Sequence, residues 1–258
     1  MTPRLTVVGA GPGDVDLITL KAIKAIKSAN VIMYDALVNV ELLEYASSKA
    51  ELIFVGKRKG CYAYQQNQIN ELIVQRALRF GHVVRLKGGD PFIFGRGAEE
   101  LDYAKEYAIE VAMVPGISSS AAVPAYQGIP LTKRNASESF WVITGTTKSH
   151  EISTDIALAA QSTATVVILM GMSKLSEIVQ IFSKEGKSET AIAIIQNGTR
   201  PNEKVGIGKI SNIESIVEEQ KLSNPAIIII GEVVKERVDL TEIYSKADLA
   251  QYNTQKTA

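Results

Sequence analysis

The 258-residue chain lacks several features that mark particular classes of protein. It has one cysteine, Cys61, so it can form no intrachain disulfide. Its 28 basic residues balance its 28 acidic ones, whereas nucleic-acid-binding proteins usually have a clear basic excess. The longest apolar runs, such as 226–230, fall far short of the roughly 18 residues that a membrane span requires, and no signal-peptide pattern opens the sequence. We therefore expect a cytoplasmic protein that binds neither nucleic acid nor a membrane.

Histidine is scarce as well. His82 and His150 are the only two, and neither lies in a metal-binding spacing or near Cys61 in the sequence. The sequence therefore predicts no metal site and no Cys–His nucleophile. His82 stands at the start of a predicted strand, where a structural role is expected.

Short β-branched runs alternate with helical patterns along most of the chain. They predict strands at 5–9, 31–34, 52–55, 82–86 and 111–114, and again at 140–144, 165–170, 190–196, 204–210 and 226–231. Strands that alternate with helices form a mostly parallel sheet covered on both faces, so the predicted fold class is α/β. The Gly206-Ile207-Gly208 stretch indicates an edge strand or hairpin, and therefore a mixed sheet in the second half.

The local signals between these strands place helices and one domain boundary. Thr19 is suited to cap a helix, and a longer helix over 65–80 is expected to end at Gly81. Val114-Pro115-Gly116 favours an extended path followed by a turn, which divides the chain into domains 1–115 and 116–258. Trp141, near the start of a strand, is expected in the core.

The first glycine-rich turn runs from Gly9 to Asp14, between a strand and a helix. This position and the acidic Asp35 after the second strand resemble a dinucleotide-binding fingerprint. Two residues argue against NAD or FAD: Asp14 would face the pyrophosphate with a negative charge, and Pro12 removes an amide donor from the loop. A purely structural tight turn is the other alternative.

A second segment, 86–100, contains four glycines and one proline. Gly88 and Gly89 follow a strand, where the absence of a side chain lets the backbone approach a ligand closely. Glu99 and Glu100 fall in the first turn of the next helix, which is favourable at the positive end of the helix dipole. An ordinary glycine-rich loop with capping glutamates would explain the two glutamates but not the sequence Gly-Gly-Asp-Pro-Phe.

In order and spacing, from about Leu5 to Val234, these segments resemble the tetrapyrrole methylases. The matching elements are 9–14, Tyr34-Asp35, Gly56-Lys57-Arg58, 86–100, 114–118, 128–132, 197–199 and 224–226. The resemblance implies two α/β domains of the tetrapyrrole methylase type with the active-site trough between them, a homodimer, and S-adenosyl-L-methionine as methyl donor, released as S-adenosyl-L-homocysteine. It is strongest for the branch that methylates uroporphyrinogen III at C2 and C7, giving precorrin-2 by way of precorrin-1 for sirohaem or cobalamin synthesis.

The resemblance also assigns cofactor contacts to individual positions. These are Pro12, Gly88, Gly89, Asp90, Ile93, Ser118, Ser119, Met170, Gly198 and Ala226. The family often has Thr-Ala where this chain has Ser118-Ser119, so a hydroxyl is kept at the first position and replaces a methyl at the second.

Catalytic and substrate-binding roles follow from the same resemblance. Asp35 and Lys57 match the proton acceptor and proton donor, and Arg96 is a rival candidate for the base. Arg96, Glu99 and Arg134 match positions at the substrate, and Arg58 is a further candidate substrate contact because its charge suits the carboxylates of the substrate. Methyl transfer needs alignment and a proton acceptor rather than a metal, and a polycarboxylate substrate suits arginine.

Three other functions remain open from the sequence. The chain could be another methylase of the same superfamily, acting on a later corrin precursor or on diphthamide. It could be a nucleotide-binding oxidoreductase, or a non-catalytic ligand-binding protein of this fold. Asp35 and Lys57 disfavour the non-catalytic alternative, because both residues of the proton-transfer pair are present.

Overall fold

The computed structural model describes residues 2–56, 64–238 and 240, and its strands form two five-stranded sheets. The first sheet is entirely parallel, in the order β3-β2-β4-β1-β5. Its strands are β1 (Arg4–Gly9), β2 (Val31–Tyr34), β3 (Glu51–Phe54), β4 (His82–Lys87) and β5 (Glu110–Val114). All five predicted strands of the first half are confirmed, within one residue at either end.

Helices connect the parallel strands of the first sheet. They are α1 (Leu20–Lys27), α2 (Gln66–Phe80) and α3 (Gly97–Glu106), with short 3₁₀ segments at Val15–Leu17 and Val40–Tyr45. The hydroxyl of Thr19 accepts a hydrogen bond from the amide of Ala22 at 3.1 Å and so caps α1. Gly81 ends α2 with a φ of 94°, a conformation that favours glycine. Both sequence predictions are confirmed.

The second sheet is mixed, in the order β6-β7-β10-β8-β9. Its strands are β6 (Phe140–Thr144), β7 (Thr165–Leu169), β8 (Ala191–Gln196), β9 (Lys204–Lys209) and β10 (Ala226–Ile230). Only β6 and β7 pair in parallel, and β9 forms an antiparallel edge against β8, as the glycines at 206 and 208 predicted. The helices are α4 (Ser119–Tyr126), α5 (Asp155–Gln161), α6 (Leu175–Lys184) and α7 (Ile213–Gln220), with 3₁₀ segments at Met172–Lys174 and Glu232–Glu236.

The prediction that Trp141 lies in the core is wrong. Trp141 is 38% exposed, and its neighbour Phe140 is 45% exposed. Both belong to β6, which is an edge strand that pairs only with β7. An edge position leaves these aromatic side chains partly in solvent, even though the strand itself was placed correctly.

Both sheets are buried on both faces, and successive residues alternate between two apolar layers. In β8, Ile192 and Ile194 pack with one cluster while Ala193 and Ile195 pack with the other. This two-sided burial explains why the central strands read as continuous apolar runs. Within the described ranges, no helix combines the length and hydrophobicity needed to cross a membrane.

Candidate active site

The carboxyl ends of β1, β2 and β4 lie side by side in the first sheet. Ligands of parallel α/β sheets bind at this edge. The turn after β1 and the loop after β4 are joined by two backbone hydrogen bonds, from the Gly89 amide to the Gly11 carbonyl at 2.7 Å and from the Gly11 amide to the Gly89 carbonyl at 3.3 Å. The two glycine-rich segments of the sequence therefore form one structure, with Pro12 beside it.

Glycines make this structure possible because three backbone segments pack in direct contact. A Cβ at Gly9 or at Gly116 would overlap the backbone of the facing glycine. Gly89 differs, because it has a φ of 67° and its Cβ would meet only the Ser119 amide nitrogen, at 3.8 Å. Open space therefore lies above Gly89, next to the first turn of α4, where Ser118 and Ser119 lie.

The Asp90 side chain stabilises the loop after β4 by accepting two hydrogen bonds from backbone amides. One carboxylate oxygen accepts a hydrogen bond from the Phe92 amide at 2.8 Å, and the other accepts one from the Gly116 amide at 3.0 Å. Ile93 follows and is 41% exposed, with its amide hydrogen-bonded to the Asp90 carbonyl at 3.3 Å. The exposed side chain of Ile93 therefore lies on a loop whose backbone is fixed by the hydrogen bonds to Asp90.

The predicted cofactor contacts of the second half lie at one end of the second sheet. Strand β10 runs antiparallel between β7 and β8, so its first residue, Ala226, lies beside Gln196 at the end of β8. Met170 and Gly198 follow the ends of β7 and β8. Met170 has a φ of 55°, a left-handed conformation that an ordinary side chain rarely adopts and that concentrates at functional sites.

Hydrogen bonds join the two halves of the chain next to the glycine-rich turn after β1. The Asp14 amide donates to the Thr199 hydroxyl at 3.1 Å, and the Tyr126 hydroxyl donates to the Asp14 carboxylate at 2.8 Å. Arg200 donates to the Leu37 carbonyl at 2.5 Å. The structure thereby brings the predicted cofactor contacts of the first half close to those of the second.

A buried group of charges lies directly behind Asp35. Arg85 binds Asp35 Oδ2 through Nη2 at 3.2 Å and Glu100 Oε1 through Nε at 3.1 Å, and Lys87 Nζ binds the same Glu100 oxygen at 2.9 Å. The side chains of Arg85, Lys87 and Glu100 are almost fully buried, whereas that of Asp35 is 25% exposed. Burial lowers the pKa of Lys87, the charge of Arg85 lowers it further, and Glu100 opposes both effects.

Sequence reasoning missed this group, although one signal was available. Central strands that are buried on both faces are usually continuous apolar runs. Arg85 and Lys87 interrupt such a run in β4. Two charged residues in a central strand indicate buried partners, but the sequence does not identify Glu100 as the partner.

Arg96 and Glu99 form an exposed ion pair at the start of α3. Two hydrogen bonds join them, at 2.9 and 2.5 Å, and each side chain is about half exposed. The hydrogen bond to Glu99 raises the pKa of Arg96. The hydrogen bond from Arg96 lowers the pKa of Glu99, and the positive charge of Lys148 adds to this effect. Lys148 belongs to the loop after β6, and its sequence context is an ordinary polar loop with no signal of function.

Three predicted site residues remain, of which Arg134 alone lies within the described residues. Lys57 and Arg58 lie outside the described residues. Arg134 is exposed in the turn closed by the Lys133–Ser137 bridge, and Lys133 forms an ion pair with Glu236. In the part of the chain that the structure describes, no three histidine, cysteine, aspartate or glutamate side chains group as metal ligands.

The sequence and fold match known proteins over most of the chain. The family model of Tetrapyrrole (Corrin/Porphyrin) Methylases matches residues 4–214. A uroporphyrinogen-III C-methyltransferase from Methanocaldococcus jannaschii is 44% identical over 236 residues, covering 91% of this chain and 98% of that protein. A sirohaem synthase from Actinobacillus pleuropneumoniae is 43% identical over 98% of this chain, which spans 52% of the length of that protein.

A solved structure shares both fold and sequence. It is a uroporphyrin-III C-methyl transferase from Thermus thermophilus, complexed with S-adenyl homocysteine. The TM-score is 0.76 and the identity 33%, with 90% of this chain and 99% of that chain covered. The two-sheet α/β fold is therefore that of a known group of methyltransferases, and the family match sets aside the dinucleotide-dependent oxidoreductase. This chain belongs to the tetrapyrrole (corrin/porphyrin) methylase family.

Proposed function

We propose that this protein transfers methyl groups from S-adenosyl-L-methionine to C2 and C7 of uroporphyrinogen III, giving precorrin-2 by way of precorrin-1. The observation that carries the proposal is the position of Asp35, which follows β2 next to the glycine loop that follows β4. A carboxylate thereby lies beside the open space above Gly89, next to the first turn of α4, which we call the cradle. The 44% identity to a uroporphyrinogen-III C-methyltransferase supports this substrate.

The cradle above Gly89 fits an adenosyl ligand because it is open and formed largely by backbone. When bound, the cofactor supplies an electrophilic methyl group on a sulfonium. Pro12, Gly88, Gly89, Asp90, Ile93, Ser118 and Ser119 would hold it from one side, and Met170, Gly198 and Ala226 from the other. Their task is alignment, and positioning alone contributes up to ~7–11 kcal/mol in ideal cases.

Asp35 is suited to accept the proton that leaves the pyrrole carbon as the new carbon–carbon bond forms. Its carboxylate is partly exposed to the trough and held from behind by Arg85. Arg96 is less suited to this role, because its pairing with Glu99 raises its pKa and keeps it protonated. Lys57 is the proposed proton donor. Arg58, Arg96, Glu99 and Arg134 are the proposed contacts to the substrate side chains.

The arrangement of the chain is part of the same proposal. The domain division after Pro115 is supported by α4, whose Val123 already packs in a cluster of the second sheet. A homodimer is supported by the exposed aromatic residues Phe140 and Trp141 on an edge strand. A cytoplasmic location agrees with a single cysteine in 258 residues.

The test is to incubate the protein with labelled S-adenosyl-L-methionine and enzymatically generated uroporphyrinogen III, and to count the transferred methyl groups by mass spectrometry. Two methyl groups per macrocycle are expected. Transfer only to a later corrin precursor would assign the protein to another branch of the family. No transfer by folded protein that binds S-adenosyl-L-homocysteine would refute the proposed substrate.

A further inference from the structure

The guanidinium of Arg85 is fixed at all three nitrogens. Nε donates to Glu100, Nη1 donates to the carbonyls of Leu86 at 3.0 Å and Met33 at 3.4 Å, and Nη2 donates to Asp35. The side chain is 3% exposed. A planar guanidinium held in this way presents its remaining N–H groups in one fixed direction. That direction is towards Oδ2 of Asp35.

Glu100 is in turn the fixed point for Arg85. Its Oε1 atom accepts hydrogen bonds from Arg85 at 3.1 Å, Lys87 at 2.9 Å and Gln66 at 3.2 Å. The residue is 1% exposed, and Asn70 accepts a further hydrogen bond from Gln66. The group contains two cations, Arg85 and Lys87, and two anions, Glu100 and Asp35, so the charges balance.

Such a group is a poor way to gain stability. Desolvation of buried charges largely cancels their attraction, and apolar replacements of similar volume often stabilise a protein. Among the described residues, the second sheet buries no ionisable side chain, and its buried polar residues are small and neutral. The buried charges of the first sheet therefore need another explanation, and Asp35 is the one member of the group whose side chain is partly exposed, at 25%.

We propose that Arg85 and Glu100 are positioning residues for Asp35. Glu100 fixes the guanidinium of Arg85, and Arg85 fixes the carboxylate of Asp35 in the orientation that accepts the proton. This inference rests on the proposed function, in which Asp35 is the proton acceptor. Neither residue is expected to touch the substrate or the cofactor.

The test compares kcat, the KM for uroporphyrinogen III and the Kd for S-adenosyl-L-homocysteine in single and double variants. Arg85→Lys and Glu100→Gln should each lower kcat about tenfold or more, with KM and Kd little changed. In an Asp35→Asn background, neither substitution should lower kcat further, because residues that act as a unit are not additive. Glu100→Gln keeps the shape of the side chain, so it remains informative if Arg85→Lys does not fold.

Glu51→Gln is the matched control. Glu51 pairs with Arg76 at 3.1 Å, also in the first sheet, but is 40% exposed and makes no contact with Asp35. It should retain the wild-type kcat. Normal kcat in folded Glu100→Gln, or a further loss when either substitution is added to Asp35→Asn, would overturn the positioning role alone. Normal kcat in Asp35→Asn itself would remove Asp35 as the proton acceptor and the positioning role with it, whereas the proposed methyl transfer is refuted only if folded protein fails to methylate uroporphyrinogen III.

Discussion

The two sheets differ in what they bury. The first encloses ionisable side chains, namely His82, Arg85, Lys87 and Glu100. The buried polar side chains of residues 127–238 are small and neutral, namely Ser137, Ser153, Thr165 and Thr199. Both sheets are otherwise built on the same plan, with apolar residues facing two layers. The difference is therefore not required by the architecture.

This difference indicates that the two halves have different roles in the proposed reaction. Burying charges removes them from water at a cost that largely cancels their attraction even when they are paired, so a scaffold built only for stability avoids them. The second sheet follows that rule, and its proposed contribution to the cofactor site comes from residues at the ends of strands, namely Met170, Gly198 and Ala226. The first sheet departs from it directly behind Asp35. We therefore expect proton transfer to depend on the first sheet, and cofactor binding to depend on both.

The largest effect is expected from Asp35→Asn, which removes the proposed proton acceptor. Turnover should fall about 10²–10⁴-fold, the usual contribution of a general base, while the Kd for S-adenosyl-L-homocysteine stays close to that of the wild type. Single-turnover kinetics and calorimetry measure the two quantities. Asp102→Asn is the matched control, because Asp102 pairs with Lys105 at 3.2 Å on the exposed surface of α3. Near-normal single turnover in Asp35→Asn would assign proton transfer to another group.

The next largest effect concerns the cradle. Gly89→Val should weaken S-adenosyl-L-homocysteine binding about tenfold or more with little loss of fold, because the side chain would occupy the open space and strain a φ of 67°. Gly186→Val separates these causes. Gly186 has a φ of 73° and no atom within 4 Å of its Cβ position. A valine there suffers the same backbone strain but lies away from the proposed cofactor site. Equal affinity in both variants, measured by calorimetry, would remove Gly89 from the cofactor site.

A smaller effect is expected at the exposed Arg96–Glu99 pair. Arg96→Lys should weaken uroporphyrinogen III binding up to about fivefold, because an ammonium cannot reproduce the planar fork at a carboxylate and exposed ion pairs contribute little. Substrate affinity should also fall as salt rises, and S-adenosyl-L-homocysteine affinity should change much less. Arg79→Lys, exposed on α2, is the control in the same titrations. Equal salt sensitivity for both ligands would contradict a basic trough.

The smallest effect concerns stability. Burial lowers the pKa of His82 below its ordinary 6.5, and the Arg4 charge adds to this, although a hydrogen bond to the Ser28 carbonyl opposes it. The unfolded chain therefore takes up a proton at a higher pH than the folded protein. The contribution of His82 to the free energy of unfolding should be fully present above about pH 6.5. It should be lost as the pH falls towards the lowered pKa of the folded protein.

His82→Gln cannot titrate and should flatten this part of the stability curve, as measured by urea unfolding across a pH series. The exposed His150→Gln should keep the wild-type slope. If His82→Gln lost stability on acidification as steeply as the wild type, the slope would belong to other groups.

Much of the fold was predictable because its signals are local. The bounds of β2 and β6 match the prediction, β3 is shifted by one residue at both ends, and the other strands differ by one residue at one end. The exposure of Trp141 was not predictable, because strand order decides which strand forms an edge. The Arg85–Glu100 pair was missed because it depends on how α3 lies on the sheet, which brings Glu100 to Arg85 of β4. The charge of Lys148 acts on Glu99 because the fold packs the two halves together, and the polar loop that contains Lys148 gives no sign of this in the sequence.

The most direct test of the central claim is the position of the new methyl groups. The protein should be incubated with uroporphyrinogen III and S-adenosyl-L-methionine that carries ¹³C in its methyl group, and the product examined by NMR. The account predicts label at C2 and C7 and at no other carbon. Label at any other carbon, or an unlabelled macrocycle from protein that binds S-adenosyl-L-homocysteine, would contradict it.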